Sequence, residues 1–258
     1  MCPQYSLLRA SYFLAFVLLA GCGPSVGHRE QTESIAERLS KLSFTDIMAL
    51  GRHRSETELT TRTESRGRSQ AISEHYDLRW EGWEQFQYQV TKGEFMVMDF
   101  TVWKGKAYQR QFGGRTRIRD NPSEMHYYLR QTWNQWNGVA EAFRSVLVYE
   151  SAESVHVEGR PVETYHIRLA PQVEPNPGVT QRLRQSVEHD RVEGELWIDK
   201  ATGVPLQIVF HGEYRVIRFS RRPGKPGETT RHWIEFKLRR YNIGQPQEIE
   251  SPAVARSP

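Results

Sequence analysis

The chain has 258 residues, 35 lysines and arginines against 31 aspartates and glutamates, and a net charge of +4. Acids and bases are interspersed, and 38% of residues are hydrophobic, enough for one large all-β domain or two small ones. Both cysteines, Cys2 and Cys22, lie near the start, which excludes a disulfide, a thiol nucleophile or a cysteine metal site from the rest.

Arg9 precedes an apolar run from Tyr12 to Leu19. One charge, a short apolar stretch and small residues after it describe a secretory signal. The run is too short for a transmembrane helix, which needs about 20 apolar residues. Leu19-Ala20-Gly21-Cys22 resembles the bacterial lipobox. That resemblance implies a signal peptide over 1–21, removal of it, and covalent lipid such as palmitate on Cys22. It also implies a tether over 22–33 and a membrane anchored through lipid. Gly23 stands where an aspartate retains enterobacterial lipoproteins in the inner membrane, so by analogy the chain is expected at the outer membrane, facing the periplasm. No nucleic-acid partner and no cofactor beyond the lipid are expected there.

Ile35, Leu39 and Leu42 recur at helical spacing, with Ile47 and Leu50 in phase behind them. From Glu56 the period becomes two. Strands are predicted through Glu56 to Thr63, Ile72 to Trp80, and Phe86 to Val90. Met96, Met98, Phe100 and Val102 are expected on one face of the next, and Lys104-Gly105-Lys106 turns the chain into Ala107 to Phe112. Asn121-Pro122 opens a helix whose apolar positions run from Met125 through Leu129, Trp133, Trp136 and Phe143 to Leu147, with Gly138 its expected weak point.

The second half returns to strands. Val155 and Val157 precede a turn at Glu158 to Pro161, and Tyr165, Ile167 and Leu169 follow. Residues 172–178 read as a loop, and Val179, Leu183 and Val187 as a short helix. Val192 to Ile198 and Val204 to Phe210 should pair across Asp199 to Gly203, burying Leu196, Ile198, Leu206 and Ile208. Strands are also predicted from Tyr214 and from His232 to Leu238. Arg218 to Lys225 reads as a basic hairpin loop, either solvated or in contact with anionic headgroups.

The chemistry-bearing residues do not assemble into a catalytic set. There is no Gly-x-Ser-x-Gly, no His-Glu-x-x-His and no phosphate-binding loop. His156, His166 and His189-Asp190 are spread along the chain. Glu193 and Glu195 sit opposite an apolar face, as solvated strand residues do. No enzymatic activity and no metal are therefore expected. Seven tryptophans and the mid-chain helix point instead to apolar burial, as an ordinary core or as a pocket.

The order of elements resembles the periplasmic lipoprotein-carrier superfamily, the LolA/LolB and LppX/LprG type. Glu193 to Asp199 leading through Thr202-Gly203-Val204-Pro205 resembles its recurrent strand–turn–strand hairpin, and Tyr241 to Pro246 resembles its closing strand and tail. The resemblance implies an α+β fold over 34–252: a curved antiparallel sheet or incomplete β-barrel, a few covering helices, and a short tail over 253–258. It implies binding of a lipid or acylated protein in an apolar cavity. Met125, Leu129, Trp133, Trp136 and Phe143 would then form a lid over Met96, Met98 and Phe100, opening near Gly138. The runner-up is a protein-interaction module in envelope assembly or stress sensing. A hydrolase is the third class.

Overall fold

A computed structural model describes residues 28–171, 185–220 and 227–252. Among these are four helices and twelve strands. The helices are α1 (His28–Lys41), α2 (Phe44–Met48), α3 (Ser123–Thr132) and α4 (Gln135–Phe143). The first half carries β1 (His53–Ser65), β2 (Arg68–Gly82), β3 (Gln85–Lys92), β4 (Phe95–Trp103), β5 (Lys106–Gln111) and β6 (Arg117–Arg119). The second carries β7 (Leu147–Ser151), β8 (Val155–Val157), β9 (Arg160–Leu169), β10 (Gln185–Asp199), β11 (Pro205–Arg218) and β12 (Glu228–Tyr241).

All strands belong to one open antiparallel sheet in the order β6-β5-β4-β3-β2-β1-β12-β11-β10-β9-β7, with β8 paired to β9. Strands β1 to β6 form one meander and β9 to β12 another, with β7 and β8 both paired to β9. The two meanders meet at the middle, where β1 pairs with β12 from Arg54–Tyr241 to Ser65–Thr230. The outermost strands, β6 and β7, are consecutive in the chain. The segment joining them contains α3 and α4, which lie against the apolar face.

The alternation of side chains produces that face. Leu78, Tyr88, Phe100, Phe210, Phe236 and Leu238 are buried on it. The opposite face carries ion pairs, such as Arg54 on Asp77 at 2.9 and 3.0 Å, and a cation–π contact of Arg62 over the Trp233 ring at 4.9 Å. Such a two-faced antiparallel sheet needs cover on one side only. α1 and α4 pack Ile35, Leu39, Trp136 and Phe143 over β9 to β12, while α2 and α3 pack Phe44, Met125 and Leu129 over β2 to β4.

The hairpin expected at Asp199 to Gly203 is present. Val192 pairs with Gly212, and Leu196 with Ile208. Gly203 takes φ 71° as its N–H donates to the Asp199 carbonyl at 2.8 Å. Leu196, Ile198, Leu206 and Ile208 are buried. Lys104 and Gly105 both have positive φ, the conformation of a two-residue hairpin turn between β4 and β5.

Several expectations are corrected. The helix from Ile35 toward Leu50 is two helices, because Ser43 caps a new one. Its hydroxyl accepts from the Asp46 N–H, and the Asp46 carboxylate accepts from the Ser43 N–H. The mid-chain helix also breaks, at Trp133-Asn134. The Asn134 side chain accepts from the Asn137 N–H at 3.2 Å and restarts the helix. Gly138 lies inside α4, and Leu147 begins β7. Val187 is in β10, where a register shift between His189 and Arg191 turns it to the same face as Val192. The runs ending at Phe210 and beginning at Tyr214 are one strand, β11.

Met96 is corrected as well. A register shift between Val90 and Thr91 breaks the alternation, and the Met96 sulfur accepts from Arg110, which pairs with Asp99. Met96 thus leaves the face shared by Met98 and Phe100. Of the tether expected over 22–33, residues 28–33 lie in α1. Cys22 and the signal peptide, the rest of the tether, residues 172–178 with Val179 and Leu183, Arg221 to Lys225, and the tail over 253–258 lie outside the described residues.

Candidate binding site beneath the helices

The floor of the site comes from the middle of the sheet. On β1, Ser55 and Thr57 place small hydroxyl side chains where the flanking strands carry Leu78, Tyr76 and Leu238. The next covered position on β12 after Leu238 is Arg240, opposite Ser55. The roof is formed by Phe44 and Ile47 of α2, Leu129 of α3, and the junction residues Trp133 and Asn134, followed by Gln135 and Trp136 of α4.

Two small adjoining cavities lie in this seam and share Ile47, Trp133 and Arg240. The free room in each amounts to roughly one water molecule. An acyl chain does not fit while the helices sit in this position.

The lid residues named from sequence divide between two packing regions. Trp136 and Phe143 join the cluster over β9 to β12, while Met125, Leu129, Met98 and Phe100 join that over β2 to β4. Trp133, at the break between helices, touches the second cluster and a third around Ile47 and Val204. Met96 is in none of them.

Ring contacts continue this packing. Trp136 meets Phe210 and Phe236 with ring centroids 5.3 and 5.4 Å apart, and Phe143 meets Phe210 at 5.2 Å. Polar ties from the lid to the sheet include the His126 ring with the Trp83 carbonyl at 3.1 Å, Gln135 with the Tyr88 hydroxyl at 3.3 Å, and His189 with the Ala142 carbonyl at 3.0 Å. The lid is held mainly by apolar contact.

The electrostatics of the seam are unusual. Arg240 is 5% exposed, and among the described residues it makes one hydrogen bond, from Nη1 to the Pro205 carbonyl, while its Nε is buried without a partner there. Burial pushes its guanidinium down to about 9, so it is still a cation at neutral pH. Among the described residues no aspartate or glutamate lines either cavity. The indole N–H of Trp136 is likewise buried without an acceptor. His53 on β1 donates from Nδ1 to the Gly51 carbonyl at 2.8 Å, and burial first, with Arg240's charge also contributing, holds its pKa at about 4. Burial, reinforced by the hydrogen bond to Glu74, raises the Tyr76 phenol well above its ordinary value.

Arg240 went unnoticed in the sequence because it follows an ordinary apolar series. Its signal is its phase: it continues Ile234, Phe236 and Leu238 at period two, on the face that should be apolar. Of the histidines singled out from sequence, His189 packs on Phe143, while His156 and His166 are exposed on β8 and β9. His211, on β11, bonds to Glu213 at 2.9 Å. Among the described residues no three histidine, cysteine or acidic side chains gather as a metal site. Among the same residues no helix is long and apolar enough to cross a membrane. Glu193 and Glu195 are exposed, and Glu193 pairs with Arg191.

No family model matches this chain, and no curated protein matches it. Solved structures give faint likenesses. A DUF1329 family protein from Desulfovibrio piger aligns at 12% identity and TM-score 0.24, over 85% of this chain and 95% of its own. A LolA superfamily protein from Nitrosomonas europaea aligns at 10% and 0.23, over 85% and 94%. MucB aligns at 15% and 0.30, over 90% of this chain and 65% of its own. These scores are all below 0.5, and the fold stands on the strand pairing of this chain.

Proposed function

We propose that this chain is a non-catalytic, lipid-anchored protein of the bacterial envelope that binds a lipid or acylated protein beneath α3 and α4. In this reading the sheet and helices form a LolA-like half-barrel in its closed state. The observation that carries it is the seam itself: apolar walls surround an uncompensated buried cation under helices held mainly by side-chain packing. Displacing the lid would open apolar surface, and each methylene of an acyl chain buried there contributes about 0.8 kcal/mol. The Trp133-Asn134 break is the natural hinge, since backbone helix bonding is interrupted there.

The second reading is an interaction module for a protein partner. The closeness of the packing favours it, because the lid residues already fill the space an acyl chain would need. Organic extraction of the chain purified from its native envelope, followed by mass spectrometry, separates the two. A co-purifying lipid at near-stoichiometric amount supports the carrier. Its absence, together with no saturable displacement of a fluorescent fatty acid, leaves the interaction module.

A further inference from the structure

We infer that Arg240 and Trp136 form a receptor for an oxyanion, a carboxylate or phosphate group, at the base of the seam. This deepens the lipid-binding reading and rests on it only for the apolar remainder of the ligand.

A guanidinium has five N–H donors and no acceptor, and is normally found in water or against a carboxylate. Arg240 has neither. The described residues place no acidic group within ion-pair reach of it, and its one protein acceptor is the carbonyl of Pro205. His53, close enough to feel its charge, is neutral at pH 7. Removing a cation from water costs several kcal/mol unless opposite charge and hydrogen bonds replace the hydration. Nothing in the packing requires a charge here. β12 satisfies its ladder through β1 and β11, and a methionine would fill the same volume.

The donors left over border one cavity, which as it stands has room for about one water, so an oxyanion enters it only as the helices above shift. Arg240 lines both cavities, and Trp136 lines the second with it. Both Nε of Arg240 and Nε1 of Trp136 are buried without acceptors. The hydroxyl residues Ser55 and Thr57 line the first cavity. An oxyanion would accept from the guanidinium and the indole while neutralising the buried charge. Charge-assisted bonds of this kind are about twice as strong as neutral ones. The apolar lining on either side suits an oxyanion that terminates an apolar chain.

The test uses the full chain in zwitterionic nanodiscs and titration calorimetry, with empty discs as reference. The probes are octanoate, octyl phosphate, 1-octanol and inorganic phosphate. Octanoate or octyl phosphate is expected to bind at least tenfold more tightly than 1-octanol. Arg240→Met is expected to erase that preference, bringing the octanoate and octyl phosphate affinities down to that of 1-octanol, with the melting temperature equal or higher. Trp136→Phe, which keeps the ring and loses the N–H, is expected to reduce the preference severalfold. Equal affinity of the parent for octanoate, octyl phosphate and octanol would overturn the oxyanion site and leave the lipid reading standing. Binding of inorganic phosphate alone, lost in Arg240→Met, would keep the site and remove the lipid reading. Binding of none of the four removes both.

Discussion

Asp199 and Arg160 face each other as a two-pronged ion pair, Nε to Oδ1 at 3.0 Å and Nη2 to Oδ2 at 2.8 Å, with the aspartate fully buried. The same carboxylate accepts from the backbone N–H and hydroxyl of Thr202 at 3.0 and 2.6 Å. One side chain thus fixes the β10–β11 turn and ties it to the start of β9. Burial alone would raise the Asp199 pKa, but the bonds from Arg160 and Thr202 outweigh it and hold the carboxyl below its ordinary range. Asp199→Ala is expected to cost about 3–5 kcal/mol, read as a lower urea midpoint. A loss under 1 kcal/mol would show that the pair contributes little.

His53 gives the fold a mildly acidic weak side. Its folded pKa of about 4 lies below the ordinary 6.5, so the unfolded chain takes up its proton first as pH falls. The contribution is complete above about pH 6.5, shrinks through the window from 6.5 to 4, and amounts to about 3 kcal/mol in all. Burial lowers His126, His189 and His232 in the same direction. Denaturant titrations at several pH values should show stability dropping across this window, with a shallower slope in His53→Gln. An identical slope in that variant would assign the effect elsewhere.

Two glycines on the covered face should respond differently to alanine. A Cβ on Gly194 would meet the Val209 carbonyl oxygen at 2.3 Å and the Phe210 Cα at 3.1 Å, both backbone atoms. Gly194→Ala is therefore expected to disturb the β10–β11 ladder and cost about 2–4 kcal/mol. On Gly212 it would meet ring ends of Phe143 and Phe210, at 2.4 and 2.7 Å. Because Phe143 belongs to α4, Gly212→Ala should lift that helix and speed its amide hydrogen exchange relative to β11. Unchanged exchange in α4 would mean the rings rotate aside without moving the helix.

The anchor proposal is tested by metabolic labelling with a clickable palmitate. The parent chain is expected to take the label and Cys22→Ser to lose it. Label retained in the variant, or missing from the parent, would refute lipidation at this residue.

The hairpin of Leu196 and Leu206 was legible because alternation and the turn residues agree. Alternation failed wherever an extra residue enters a strand. Val187 and Val192 share a face with an odd separation, and Met96 leaves the face of Met98, each beside a register shift. The break at Trp133-Asn134 was hidden because Leu129, Trp133 and Trp136 keep helical spacing across it. Arg240 required the fold. A strand position becomes a buried one only when another element covers it, and that cover comes from residues about a hundred positions earlier.

The pairing of β1 with β12 has a consequence for how the chain comes to be folded. Each meander can assemble from neighbouring hairpins, but the ladder that joins them waits for the final strand. Until Tyr241 and its predecessors are available, β1 keeps one row of backbone groups unsatisfied, and the strap that spans the outer edges has only half a surface to grip. Contacts so distant in sequence form slowly. A polypeptide delivered through a narrow channel with its amino end leading would thus complete its sheet only after nearly all of it had passed, and would travel in a loose, threadable state.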